Sequence, residues 1–212
     1  MAEIDHLVVG AATLEQGANW VERHLGARPT QGGAHEGAGT HNLLLGLGPG
    51  CYLEVIAPDP TQPEPEHPRL FDLDDPGVRT MLAAEPRLIA YVARTPALAP
   101  LADRLGPRGG EVRAMRRGNL SWRMLLPPQR QDLGNLIPPM IQWDGEGKGP
   151  RLPDSKVRLI ALHAEHPEPD ALRAALAERG LAGIVAVRHS PHPRLLAHLR
   201  RPDGADAVLS TD

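Results

Sequence analysis

Long apolar runs are missing from this 212-residue chain. No stretch approaches the ~18 apolar residues that a membrane-crossing helix needs. The N-terminus has neither the charged start nor the apolar segment of a secretion signal. The expectation is a soluble, cytoplasmic protein with no membrane partner. Cysteine is nearly missing too. Cys51 stands alone, so no disulfide can form within the chain and no thiolate zinc cluster can assemble. Neither sign of charge dominates: 23 basic residues face 26 acidic ones, a formal net charge of -3. No basic run is interleaved with aromatics, so nucleic acid is not an expected partner. Aromatics make up 3%, with a single phenylalanine, so the core must be built from Ala, Val, Leu and Ile. Against that background Trp20, Trp122 and Trp143 stand out. Glycine-rich phosphate loops, serine elbows and dinucleotide fingerprints are all missing.

What is abundant is proline and glycine, 23 and 22 residues, unevenly spread. PDPTQPEPEHP at 58–68 and DGEGKGPRLPDS at 144–155 interrupt any helix or inner strand and read as long loops or linkers. They divide the chain into a first unit over 1–57, a proline-rich linker over 58–86, a second unit over 87–144, a linker over 145–155 and a third unit over 156–212. Each unit shows the same order of elements. In the first, EIDHLVVG is a strand. Thr13 and Gln16 fit a capping box, opening a helix that buries Leu14, Ala18, Val21 and Leu25 and stops at Gly26. A glycine-rich polar stretch over 27–39 follows, and then HNLLLGL and CYLEVIA form a hairpin across GPG. In the second unit RLIAYVA, a short helix from Thr95-Pro96 to Gly106, EVRAMRR, LSWRMLL and IPPMIQW repeat that order. KVRLIALHA, a helix capped by Asp170, GIVAVRH, RLLAHLR and AVLST repeat it in the third. One amphipathic helix for about four strands predicts an α+β fold: tandem βαβββ units forming a curved mixed β-sheet cup with the helices outside.

A tandem βαβββ repeat resembles the vicinal oxygen chelate superfamily, which includes glyoxalase I, extradiol dioxygenases and the fosfomycin and bleomycin resistance proteins. IDHLVVGAATLEQGANWVERHLG and GTHNLLLGLGPGCYLEVIAPDP look like the opening of its glyoxalase-like group. RRGNLSWRMLLP and LIPPMIQWDG look like that group's second half, so the resemblance covers roughly 3–145. It implies a small-molecule ligand in the cup. In metal-using relatives a divalent ion is held there by the first and last strands of two units. The matching positions are His6, Glu54 and, in the second unit, Gln142; the fourth falls on Ala90 or Leu88, which cannot bind metal. A neutral imidazole, a carboxylate and an amide oxygen suit Fe(II), Mn(II), Ni(II) or Zn(II) with open positions for water or substrate. The cofactor expectation is one such ion or none. Strand alternation puts Ile4, His6 and Val8 on one face and Asp5, Leu7 and Val9 on the other. With the superfamily's pairing, His6, Glu54 and Gln142 would all point into the cup.

Three readings of His6 with Glu54 stay open: metal ligation, a metal-free polar pair lining a substrate pocket, and no part in a site. Glu54 is the candidate catalytic residue, as the carboxylate that would move a proton on an enediolate-like intermediate. His41, Asn42, Trp122, Arg123 and Trp143 are candidate substrate contacts. His41 and Asn42 open a strand at the mouth of the cup, and an arginine beside a tryptophan suits a planar or carboxylate-bearing ligand. Each has a structural alternative: Asn42 as a backbone cap, the tryptophans as core, Arg123 as half of a surface ion pair. Cys51 faces away from Glu54 by alternation and reads as a packing residue. His163, His166, His189, His192 and His198, in the third unit, read as surface residues. The implied function is an enzyme of the glyoxalase-like group, a lyase, isomerase or dioxygenase in type, acting on a small oxygenated organic molecule. The alternatives are a non-catalytic protein that sequesters such a molecule, and a degenerate module active only in an oligomer. A homodimer is left open.

Overall fold

The computed structural model describes residues 1–128, 133–145 and 149–212. Of the expected linker over 145–155, residues 146–148 therefore lie outside the described residues. The first unit forms β1 (Glu3–Gly10), α1 (Leu14–Leu25), β2 (Thr30–His35), β3 (Thr40–Gly46) and β4 (Tyr52–Pro58). Helix α1 opens where Thr13 Oγ1 accepts from the Gln16 N–H and Gln16 Oε1 accepts from the Ala12 N–H. It closes at Gly26, whose φ of 69° is the left-handed conformation that favours glycine. About one turn in, Gly17 rides against β4: a Cβ there would stand 2.3 Å from Val55 Cγ1. The glycine-rich polar stretch over 27–39 holds the strand β2.

Between the units, the proline-rich segment carries a short 3-10 turn (Leu70–Asp72) and α2 (Pro76–Ala84). Pro76 suits the first helical position, and Asp75 Oδ1 accepts from the N–H groups of Gly77 and Val78. The second unit follows as β5 (Arg87–Arg94), α3 (Leu98–Leu105), β6 (Glu111–Arg117), β7 (Leu120–Leu126) and β8 (Met140–Trp143). The eight strands make one mixed sheet in the order β2-β3-β4-β1-β5-β8-β7-β6, strongly curled into a half-barrel. β1 runs parallel to β4, β5 parallel to β8, and the units join where β1 pairs antiparallel with β5.

The third unit gives β9 (Arg158–His166), α4 (Pro169–Glu178), β10 (Ala186–His189), β11 (Arg194–Arg200) and β12 (Asp206–Ser210). It keeps the expected element order but pairs as β10-β9-β11-β12, in a separate four-stranded sheet. Its first strand is interior, whereas β1 ends the β2-β3-β4-β1 run of its own unit. Asp170 lies in the first turn of α4 rather than capping it.

Two apolar clusters result. The larger lies between the outer face of the curled sheet, α1, α3, α4 and the second sheet, and includes Leu7, Val55, Tyr91, Leu101, Leu172 and Leu195. The smaller fills the cup with Val8, Tyr52, Ile56, Val92, Trp122, Met124, Ile141 and Trp143. Leu73 and Leu82, from the segment between the units, are buried in that same cluster, and Leu70, Phe71, Val78 and Met81 pack against it. The expected linker is thus a cover laid over the concave face. No helix among the described residues is long and apolar enough to cross a membrane.

Candidate functional site

The floor of the cup is set by strand register. His6 lies beside Tyr52, and Val8 beside Glu54, across the parallel β1–β4 pair. Alternation along β4 then turns Tyr52, Glu54 and Ile56 to the face that His6 shares. From β3, Asn42 reaches the same face. From β2, His35 arrives opposite Thr40.

A chain of polar contacts crosses this floor. In the β1–β5 ladder Ile4 pairs with Ala93 and His6 with Val92, which leaves Asp5 unpaired in a bulge. A bulge re-aims side chains, and it brings Asp5 round to His6 although simple alternation put the two on opposite faces. Asp5 Oδ1 stands 2.7 Å from His6 Nδ1, and Asp5 Oδ2 accepts from the Trp143 Nε1–H at 3.0 Å. On its other side His6 Nε2 lies 3.5 Å from Glu54 Oε2, and the Tyr52 ring stacks on the imidazole at 4.6 Å. The Asn42 amide donates to Glu54 Oε1 and stands 3.1 Å from His35 Nε2, while its Oδ1 accepts from the Gly33 N–H. That backbone donor fixes which way the amide points. His35 Nε2 is also 3.5 Å from Glu54 Oε1, and His35 Nδ1 reaches Thr40 Oγ1 at 2.9 Å.

Asp5, His6 and Glu54 are 2%, 5% and 5% exposed, so each charge must be met by a partner. Burial alone would push His6 down, but hydrogen bonds and charge from Asp5 and Glu54 outweigh it and raise its pKa to about 9. Burial alone would raise Glu54, but His6, the charge of His35 and the Asn42 amide pull it down to about 2. His35 goes the other way from His6: burial lowers it, Glu54 opposes, and Arg117 and His6 lower it further. At neutral pH His6 is therefore an imidazolium, Glu54 a carboxylate and His35 a neutral imidazole.

Not every residue singled out in the sequence comes here. His6, Glu54, Asn42, Trp122 and Trp143 do. Gln142 does not: Ile141 and Trp143 face the cup, and the Gln142 side chain turns to the outer face, where its Oε1 accepts from the Leu98 N–H at the start of α3. Arg123, paired with Gln142 across β7 and β8, is exposed on that outer face. His41 alternates away from Asn42 and sits 3.8 Å from Asp59. Cys51 lines a separate groove of about 700 Å³ with Arg94 and Arg158, and burial pushes its thiol up to about 12, far from a nucleophile's range. Sequence reasoning missed Asp5, His35 and Arg117. The signal for His35 was present in TQGGAH, since a strand broken by glycines is a place where another group comes close.

His6, His35, Tyr52, Glu54, Arg117, Trp122 and Trp143 line a small cavity of about 20 Å³ together with Leu70 and Phe71. Arg117 is 7% exposed, and among the described residues no carboxylate lies within 4.0 Å of its guanidinium. The ion pairs of Glu54 are with His6 and His35. The buried Trp122 Nε1–H has no partner among the described residues.

A family model described as a glyoxalase-like domain matches residues 4–180. The chain belongs to this glyoxalase-like family. The match runs past residue 145, through α4. No curated protein matches the chain. Among solved structures, a hypothetical protein from Staphylococcus aureus aligns at 15% identity over 98% of this chain and 85% of that one, with a TM-score of 0.59. Methylmalonyl-CoA epimerase from Mycobacterium tuberculosis aligns at 21% identity over 66% and 86%, with a TM-score of 0.43. A mutant 4-hydroxymandelate synthase from Streptomyces coelicolor aligns at 11% over 99% and 62%, with a TM-score of 0.44.

The side chains of this glyoxalase-like site do not fit a divalent ion. Among the described residues no three His, Cys, Asp or Glu side chains stand in metal-holding geometry. His6 and His35 approach different oxygens of Glu54, each at 3.5 Å, and the Asn42 amide nitrogen contacts both Glu54 and His35, where a shared ion would have to sit. Gln142 is committed elsewhere. The glycines of β2 serve the amide instead. Gly32 is the unpaired residue of a bulge, and a Cβ on it would stand 2.0 Å from Asn42 Oδ1 and 2.9 Å from the Asn42 carbonyl oxygen. Gly32→Ala is therefore expected to unseat Asn42, raise the pKa of Glu54 and cost about 1–3 kcal/mol of stability. Urea denaturation tests it. An unchanged midpoint would mean that β2 simply moves aside.

Proposed function

We propose that the chain is a glyoxalase-like enzyme that takes a small oxygenated organic molecule into the cup and shifts a proton on it. Glu54 acts as base and His6 as the cation that stabilises the developing oxyanion. The supporting observation is the opposed tuning of these two neighbours, Glu54 down to about 2 and His6 up to about 9. Titratable pairs whose surroundings push their pKa values apart divide into base and acid. A substrate with a C–H beside a carbonyl would give that proton to Glu54. Its electron pair would move onto the carbonyl oxygen, held by the His6 imidazolium, and Glu54 would return the proton to a different atom. A carboxylate tuned this low is a weak base, so the oxyanion contacts must supply most of the driving force.

The second reading is a sequestering protein. It is favoured by the way Glu54 is already engaged by His6, Asn42 and His35, and by the tightness of the chamber. The discriminating experiment incubates the purified protein with small 2-hydroxy and 2-oxo carbonyl compounds in D₂O and follows carbon-bound deuterium by NMR. Deuterium entering with the native chain and not with Glu54→Gln supports the enzyme. Ligand binding without deuterium supports the sequestering protein. Elemental analysis bears on the metal-free site, and stoichiometric metal lost in both His6→Ala and Glu54→Ala would overturn it.

A further inference from the structure

Leu70 and Phe71 line two cavities at once. One is the small chamber of about 20 Å³ over His6 and Glu54, large enough for about one water. The other, of about 530 Å³, lies on the far side of the same two residues; Ala90, Leu126, Ile137 and prolines give it an apolar wall, and His67, Arg69, Asp72, Glu111, Arg113 and Asn135 line the rest. Its size falls in the range of small-molecule sites. Both belong to the half-barrel: Ala90 pairs with Val8 on the β1–β5 seam, one alternation from Val92, which pairs with His6. Among the described residues, only Leu70 and Phe71 are common to the two linings.

The backbone of this divider is unusual. Phe71 has φ 60° and ψ 33°, and Asp72 has φ 55°. A bulky residue in the left-handed region is an outlier that persists only where its surroundings impose it, and such residues gather at ligand clamps and switches. The flanks are anchored. Arg69 Nε donates to the Gly39 carbonyl and its Nη1 pairs with Glu64 and Asp74, while Leu73 is buried at 1% exposure. Leu70 and Phe71 are only partly buried between those anchors. The strained, loosely packed part is the divider alone.

We propose that the two cavities are one binding site divided by Phe71, and that its ligand is an organic acid with a carboxylate head and an unbranched apolar body. The inference rests on the cup being the substrate site. The head enters the chamber over His6 and Glu54, lined by the Trp122 Nε1–H, which has no partner among the described residues, and by the Arg117 guanidinium, which has no carboxylate of a described residue within 4.0 Å. A guanidinium grips a carboxylate through two parallel hydrogen bonds. The body lies in the larger cavity, and Phe71 swings out of the left-handed conformation to let the two join.

The test is binding alone, with no turnover, so its failure would leave the proton chemistry of Glu54 standing, and failure of deuterium exchange would leave this site standing. The probes are straight-chain carboxylates from acetate to dodecanoate and the matching alcohols, measured by calorimetry and stopped-flow. Affinity of the carboxylates is expected to rise roughly fourfold per methylene until the cavity is filled. Arg117→Gln should weaken the longer carboxylates at least about tenfold while leaving the alcohols nearly unchanged, and Arg117→Lys should recover part of the loss. Phe71→Ala, checked against the milder Phe71→Leu for folding, should speed association without removing the chain-length dependence. No carboxylate binding, affinity independent of chain length, equal losses for acids and alcohols in Arg117→Gln, or unchanged association in both Phe71 variants would each overturn the proposal.

Discussion

His6→Ala should lower the unfolding free energy by about 3–5 kcal/mol, the cost of leaving a buried charge without its partner. The imidazolium stands between Asp5 and Glu54, and its removal leaves two buried carboxylates facing a void. The loss should depend on pH in a way that identifies its cause. His6 has a folded pKa of about 9 against an ordinary 6.5, so its stabilisation is full below pH 6.5 and disappears as pH rises towards 9. Glu54, lowered from 4.5 to about 2, contributes above pH 4.5 and is lost as pH falls towards 2. His35, lowered from 6.5, resists taking a proton, so it also costs stability as pH falls below 6.5. The native chain should therefore be most stable near pH 6.5, with a limb on each side. Urea midpoints across that range would read it. Tyr52, pushed up by burial, and Glu54, lowered to about 2, both face His6, and neither is expected to titrate between pH 6.5 and 9. If His6→Ala keeps the same alkaline limb as the native chain, the imidazolium is not what stabilises the floor.

Glu54→Gln should reduce deuterium exchange into a bound substrate by about 10²–10⁴-fold, the range for a positioned proton-transfer group. The substitution keeps the shape and an oxygen for the Asn42 amide to donate to, and His6 keeps Asp5 as its counter-ion. Folding should suffer less than in His6→Ala, so a fall in rate reports lost basicity rather than lost structure. The comparison also tests the assignment. A loss of less than about tenfold would move the base to His35, the neutral imidazole on the same floor.

Much of this was legible from residue order. The strands and the Thr13 and Gly26 ends of α1 follow from period-two alternation and capping chemistry, which act within a few residues, whereas the convergence of His6 with Glu54 was implied by the family resemblance and its strand pairing. What was not legible came from events that local pattern does not encode. The bulge at Asp5 breaks alternation by one residue and changes which carboxylate meets His6. Gln142 sits on a strand of four residues, Met140–Trp143, too short for burial to declare its face, and the exposed start of α3 claims its oxygen. His35 was hidden in a glycine run whose composition says loop. Asn42 lies against Gly32 and Arg117 against Gly33, both long-range facts. The proline-rich segment looked like a spacer because its apolar residues, Leu70, Phe71, Leu73 and Leu82, have no period until the cup gives them something to cover.

That last segment has a consequence for how such a protein can change. Surface connections usually tolerate added residues at little thermodynamic cost. Here the tether between the two half-sheets and the door of the chamber are the same stretch of chain. An inserted residue near Phe71 would leave all eight strands where they are and still alter what fits beneath it. Selectivity in this molecule is thus inherited from a piece that contributes no strand to the sheet, and it can drift while the scaffold stays fixed.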